Sequence, residues 1–290
     1  MFKQWLFPLL LVLGLGAACG QGAVEPALTP IPSSTATEAP EPSPTFSSTP
    51  TLTPSITPTP TWAWHPPGEV VAPILLYHHV DYENNSERYN VTPERFAEQM
   101  QALDDWGYTA ITITQLITAI TEGTELPPRP VVITFDDGHI SVYENAFPIM
   151  QDHGFPGVTF VVANRLKVEG FTGVEELAEM ASAGWEVGSH SYTHTNLGED
   201  TSVVRYEVLQ SKLDLEDALS FPINTFAYPF GGFKPLVGDK VRRYGYLGGA
   251  GLGKNWTHNS DSLFYLQRIE VNGAYDLETF AGLLPWSDLP

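Results

Sequence analysis

The feature that most restricts the fold is a repeated unit, a short apolar run that stops abruptly at a cluster of polar or small residues. Eight such runs read as strands: "PILLY" (73–77), "YTAIT" (108–112), "VVITF" (131–135), "GVTFVV" (157–162), "WEVGS" (185–189), "NTFAY" (224–228), "YLGGA" (246–250) and "LQRIEV" (266–271). Longer segments with helical spacing separate most of them. "TPERFAEQMQALDDW" opens with Thr92 as N-cap and Pro93 at the first helical position, and "TSVVRYEVLQSKLDLEDAL" spaces its apolar residues three and four apart. Strands nearly free of charge that alternate with helices pair in parallel, with both faces covered. The number of repeats favours a barrel-like α/β fold over an open sheet, and residues 68–290, with no second linker, are expected to form one domain.

In folds of this kind chemistry collects beyond the C-terminal ends of the strands. "YHH" follows the first run, "DDGH" the third, "HSYTH" the fifth and "PFGG" the sixth. Asp136 and Asp137 admit an ordinary reading as a helix cap and a turn residue. Two carboxylates at one strand end repel each other, however, and a cation is the usual remedy. His190 and His194, four apart, are candidate partners; two imidazoles and one carboxylate suit zinc or a similar divalent ion and leave a position for water. Water acidified by such an ion becomes a hydrolytic nucleophile once a base takes its proton, so one aspartate would bind the ion and the other stay free.

"TFDDG" (134–138) together with "SHSYTH" (189–194) resembles the first two motifs of the polysaccharide deacetylase family, the NodB-homology or family 4 carbohydrate esterases. The resemblance implies a distorted (β/α) barrel, one divalent metal (zinc, with cobalt, nickel or iron as alternatives) and removal of acetyl groups from N-acetylated sugars. It assigns Asp136 as general base and Asp137, His190 and His194 as metal ligands. The third motif departs from the family pattern, because "FAYPFGG" has Ala227 where many members carry an Arg that orients the catalytic Asp. "FAYPFG", "ILLYHHV", "VTPERF" and "LQRIEV" resemble instead the branch of poly-β-1,6-N-acetylglucosamine deacetylases, in which a His near the N-terminus replaces a C-terminal catalytic His. That implicates His78 as general acid, with His79 as the alternative. By the same resemblance the backbone N–H of Phe230 faces an oxyanion, and Tyr228 lines the substrate floor. Arg268, the late-chain Arg on a strand, is expected to supply the missing positive charge, an exposed ion pair being its other reading. Among the tryptophans Trp256 lies in a loop and is the candidate for stacking on sugar; Trp106 and Trp185 read as core.

Before this domain the composition changes. Residues 1–18, "MFKQWLFPLLLVLGLGAA", have Lys3, a short apolar run and small residues at the end, the pattern of a secretory signal. "LGLGAAC" resembles a lipobox, which would leave Cys19, the chain's single cysteine, lipidated; ordinary cleavage and secretion is the alternative. Residues 19–67 are rich in Pro, Thr and Ser and read as a disordered, extended tether. The expectation is an extracytoplasmic domain whose only membrane contact is an N-terminal lipid anchor. A net charge of -20 repels phosphate backbones and argues against nucleic acid, and an N-acetylated polysaccharide is the expected partner. Peptidoglycan, chitin oligomers or acetylated xylan are alternative substrates. A glycan-binding protein that has lost turnover, or an inert wall protein, are alternatives of other classes.

Overall fold

The computed structural model describes residues 61–82 and 88–287; the apolar leader, Cys19 and the tract up to residue 60 lie outside the described residues. Seven of the apolar runs become the staves of a closed parallel barrel: β1 (Ile74–Tyr77), β3 (Pro130–Phe135), β4 (Val158–Val161), β5 (Glu186–Ser189), β6 (Thr225–Ala227), β7 (Gly248–Leu252) and β8 (Leu266–Glu270). They run around the barrel as β1-β8-β7-β6-β5-β4-β3, and pairing of Leu75 with Ile133 closes the ring. β2 (Thr109–Ala110) adds in parallel to the start of β3.

Side chains alternate across each stave. β1 sends Leu75 and Tyr77, and β3 sends Val131, Ile133 and Phe135, into the layer packed under the helices. Ile74, Val132, Val158, Phe160, Ala227, Ala250 and Leu266 come from six staves and meet in one inner cluster, the barrel interior. The helix Ile113–Thr121 inserts Leu116, Ile117 and Ile120 into that cluster, closing the end where the strands begin. The other end is left for polar side chains.

Where the observed elements differ from the expected ones, a local hydrogen bond accounts for two of the four differences. The run at 108–112 is a strand only at Thr109–Ala110, because Thr112 is spent as the cap of the next helix in a reciprocal box with Gln115. The helix expected from residue 201 begins at the π-helical turn Arg205–Gln210 and continues as Ser211–Leu219, since the Asp200 carboxylate takes the Ser202 N–H into a turn first. The strand expected at 246–250 lies two residues later, in a Gly-rich run without alternation to mark its register. The linker ends earlier than residue 67: Ala63–His65 is a strand, antiparallel to Thr124–Leu126. Thr92 and Pro93 open the helix Pro93–Asp105 as expected.

Gly188 on β5 shows how tightly the interior is filled. A Cβ there would lie 2.5 Å from the Phe160 ring, whose face is 5.2 Å from the Arg268 guanidinium carbon. Gly188→Ala is therefore expected to destabilise the fold by about 1–3 kcal/mol through overpacking, read as a lower urea midpoint at unchanged slope.

Candidate active site and metal centre

At the C-terminal end of the barrel a cleft of about 420 Å³ is lined by His78, His79, Asp136, Asp137, His190, His194 and Arg268 among others. The polar clusters that follow β1, β3, β5 and β6 in sequence thus converge there. The backbone around the cleft is bent away from ordinary geometry. Of five non-glycine residues with positive φ among the described residues, four lie at the site: Asp137 (72°), Ser191 (66°), His194 (68°) and Phe230 (58°). Each such conformation costs on the order of 1–3 kcal/mol and persists only where the surroundings dictate it.

Asp136, directly after β3, is 3% exposed. Its N–H donates to Tyr77 O at 3.0 Å, which ties the strand tip to β1. Arg268 donates to both carboxylate oxygens, Nη1 to Oδ1 at 2.6 Å and Nη2 to Oδ2 at 2.8 Å. The guanidinium is itself held, with Nε donating to Gly251 O at 3.2 Å and Nη1 to Thr134 Oγ1 at 3.3 Å. At 1% exposure Arg268 is no surface ion pair; it delivers a buried positive charge to Asp136 from β8, while Ala227 stands on β6. Burial alone would raise the Asp136 pKa, but the Arg268 guanidinium, through its charge and its two hydrogen bonds, overcomes it and holds the carboxyl well below the usual carboxylate range.

Asp137, His190 and His194 each bring a ligand atom within 4.8 Å of the others. The donor chemistry fits a divalent ion. His190 Nδ1 lies 2.9 Å from Ala227 O, so it carries the proton and leaves Nε2 with a free lone pair aimed at the cleft's carboxylates. Burial lowers His194 to about 4, so its imidazole is neutral, the form that binds metal. His194 Nε2 lies 3.2 Å from Asp137 Oδ1. The residue in the third-motif Arg position thus contributes its carbonyl, which no side chain change would remove.

His78 packs edge-on to Tyr89 with ring centres 4.8 Å apart. Burial lowers its pKa, against which Asp136 and Asp137 pull it back up. His79 instead stacks on His139 at 4.2 Å, and burial with that neighbour lowers it to about 4. Phe230 is exposed, its ring edge-on to His194 at 4.6 Å, and among the described contacts its N–H has no acceptor within the chain. Tyr228 contributes to the cleft wall but is fully buried, its hydroxyl donating to Phe264 O at 2.7 Å, so its polar group is spent inside the core. Trp256 does not line the cleft: its indole N–H donates to Leu283 O at 2.9 Å and fastens the C-terminal segment, which removes it as a sugar platform in this site.

Sequence reasoning passed over Arg165 and the Arg88–Glu270 pair. Arg165 Nη1 lies 3.4 Å from Asp137 Oδ1 with its guanidinium over the Phe171 ring. Its place just after β4 was the available signal. Arg88 makes a two-point contact with Glu270 (2.8 and 3.1 Å) on the cleft lining; 182 residues separate them, and nothing local marks the pair.

Residues 123–249, which carry both the aspartate and histidine motifs, match the family model described as polysaccharide deacetylase. A poly-β-1,6-N-acetyl-D-glucosamine N-deacetylase of Staphylococcus aureus is 23% identical over 201 residues, 64% of this chain and 69% of that protein. The structure of a polysaccharide deacetylase from Bacillus cereus superposes with a TM-score of 0.66 at 28% identity, covering 74% of this chain and 69% of that one. IcaB from Ammonifex degensii superposes at 0.64 with 25% identity, covering 77% and 99%. With the barrel, the paired motifs and their convergence in one cleft, these likenesses make the chain a hydrolase similar to the polysaccharide deacetylases.

Proposed function

We propose that this protein is a metal-dependent N-deacetylase acting on N-acetylglucosamine units of an extracellular polysaccharide, with poly-β-1,6-N-acetylglucosamine as the preferred polymer. The observation that carries the reading is Asp136, locked by Arg268 beside the Asp137/His190/His194 donor set. The name of the Staphylococcus aureus relative and the "YHHV" and "FAYPFG" segments support the choice of polymer over peptidoglycan, chitin or xylan. The Arg268 contact also weighs against a domain that only binds glycan, because it restores the charge whose loss at Ala227 suggested inactivity. The leader and Cys19 support display at the cell membrane surface by a lipid anchor, with plain secretion as the alternative and the Pro/Thr/Ser tract before Ala63 as tether.

Asp137, His190 and His194 would hold the ion. When bound it supplies Lewis acidity, lowering the pKa of water and polarising the acetamide carbonyl. Asp136 accepts the proton of the attacking water. A carboxylate with so low a pKa is a weak base, which suits it only to water already acidified. The Phe230 N–H is free to donate to the carbonyl oxygen as negative charge develops there. His78 gives a proton to the departing amine; burial makes its imidazolium a stronger acid than one in water. Acetate and a free amine result.

Purified protein supplied with zinc, cobalt, nickel or iron is expected to release acetate from poly-β-1,6-N-acetylglucosamine faster than from chitin oligomers, peptidoglycan or acetylated xylan. Dialysis against a strong chelator should abolish release, and adding back the ion should restore it. Glycan binding without acetate release under every metal would sink the enzymatic reading.

A further inference from the structure

Between His190, which follows the last residue of β5, and His194 the backbone passes through left-handed conformations at Ser191 and at His194 itself. Neither residue is glycine, so neither prefers that shape, and the loop stays in it only if neighbouring groups hold it there. Its ends are accounted for. His190 Nδ1–H is fixed on Ala227 O, and the His194 N–H donates to Ser191 Oγ at 2.9 Å. Its middle carbonyls accept from the Ala163 and Asn164 N–H groups, Ser191 O and Tyr192 O each at 3.1 Å, and its middle N–H groups are held by one side chain that the proposed chemistry does not use.

That side chain is Glu207, 2% exposed, on the π-helical turn Arg205–Gln210. Its Oε2 accepts from the N–H groups of Tyr192 (3.0 Å) and Thr193 (2.8 Å), and its Oε1 accepts from the Thr193 hydroxyl (2.6 Å). No cation pairs with it among the described residues, so all three given partners belong to the loop. π-Helical turns often sit at functional sites, and this one places a carboxylate 14 residues beyond the loop it binds. A second contact in the same place, Tyr206 against Tyr192 with rings 4.6 Å apart, keeps the turn and the loop together.

We propose that Glu207 is a positioning residue for metal binding, setting the loop so that His194 meets His190 and Asp137. The role rests on the metal-dependent reading above. Without Glu207 the Tyr192 and Thr193 N–H groups lose their acceptor and the loop relaxes. His190 keeps its anchor on Ala227, so His194 is the ligand displaced. Glu207→Gln should be tolerated: its amide oxygen can still accept from both N–H groups, and its NH₂ can donate to Thr193 Oγ1, whose own proton then turns to Thr195 Oγ1 at 2.9 Å.

The test is zinc affinity, measured by competition with a chromophoric chelator on wild type, Glu207→Ala and Glu207→Gln well below their melting temperatures. Glu207→Ala is expected to bind zinc roughly 10–100-fold more weakly, and Glu207→Gln within about threefold of wild type. The cobalt-loaded Ala variant should show a visible spectrum altered from that of wild type, reporting a lost imidazole. If Glu207→Ala does not fold, Thr193→Val, which removes the hydroxyl's contacts to Glu207 and Thr195 and keeps both N–H bonds, is expected to show a smaller loss of affinity in the same direction. A merely structural glutamate would lower thermal stability and leave zinc affinity within threefold, which overturns the proposal; equal losses in Ala and Gln overturn it as well. Wild type that binds zinc but releases no acetate overturns the deacetylase reading and leaves the affinity comparison to decide Glu207. Wild type that takes up no zinc overturns both.

Discussion

Asp136→Asn is expected to lower kcat by roughly 10³-fold, within the range that a positioned general base contributes, while KM and zinc affinity stay within a few fold of wild type. The asparagine keeps an acceptor for Arg268 but has no lone pair basic enough to take a proton from water. Asp137→Asn, one residue away, should do the reverse and lose the ion first. The pair of adjacent substitutions therefore separates the two roles by measurement: acetate release under saturating zinc for one, zinc titration for the other. Equal loss of metal in both, or an Asp136→Asn enzyme with full turnover, would refute the division of labour.

Arg268→Met carries the second large effect. It leaves the Asp136 carboxylate buried with its closest positive charge gone, and breaking a buried ion pair from one side costs about 3–5 kcal/mol. The sign of the pH dependence follows. In the wild type the folded pKa of Asp136 is depressed, so the group contributes stability above the unfolded value of about 3.9 and loses it as pH falls through the lower folded value. In Arg268→Met burial acts without its main opponent and the pKa rises. That contribution then vanishes, and an acidic limb should enter the rate profile at a pH where wild type shows none. Urea midpoints at pH 7 and 4 and the pH dependence of kcat/KM read the two effects. Asp136→Asn combined with Arg268→Met should cost less than the sum of the singles, because the charges compensate one another.

These two residues also mark what a reader of the sequence can and cannot see. Asp136, Asp137, His190 and His194 were legible because each pair is packed into a few consecutive residues at the end of an apolar run, and strand ends are where such folds gather function. Arg268 was legible only as a charge on a strand. Its partner lies 132 residues away, and the contact depends on which staves are neighbours, a property of barrel closure that no local pattern encodes. Trp256 failed for a related reason: its loop position gave no sign of which part of the fold it would meet, and it is fastened to Leu283 O away from the cleft lining. The barrel itself was readable from alternation of strand and helix, whereas its edges were not. Thr112 and Asp200 each decide an element boundary by one side-chain hydrogen bond, and the strand at Ala63–His65 lies within a tract whose composition suggests none.

The placement of β1 between β8 and β3 has a consequence for how such sites diversify. The first and last staves of the barrel share a seam, through the pairings of Ile269 with Leu75 and Glu270 with Leu76. A proton donor mounted just past either stave reaches the same corner of the cleft. A histidine near one end of the polypeptide is therefore spatially interchangeable with one near the other end. The acid role proposed for His78 in "YHHV" therefore requires no architecture beyond this seam, only an imidazole on one side of it.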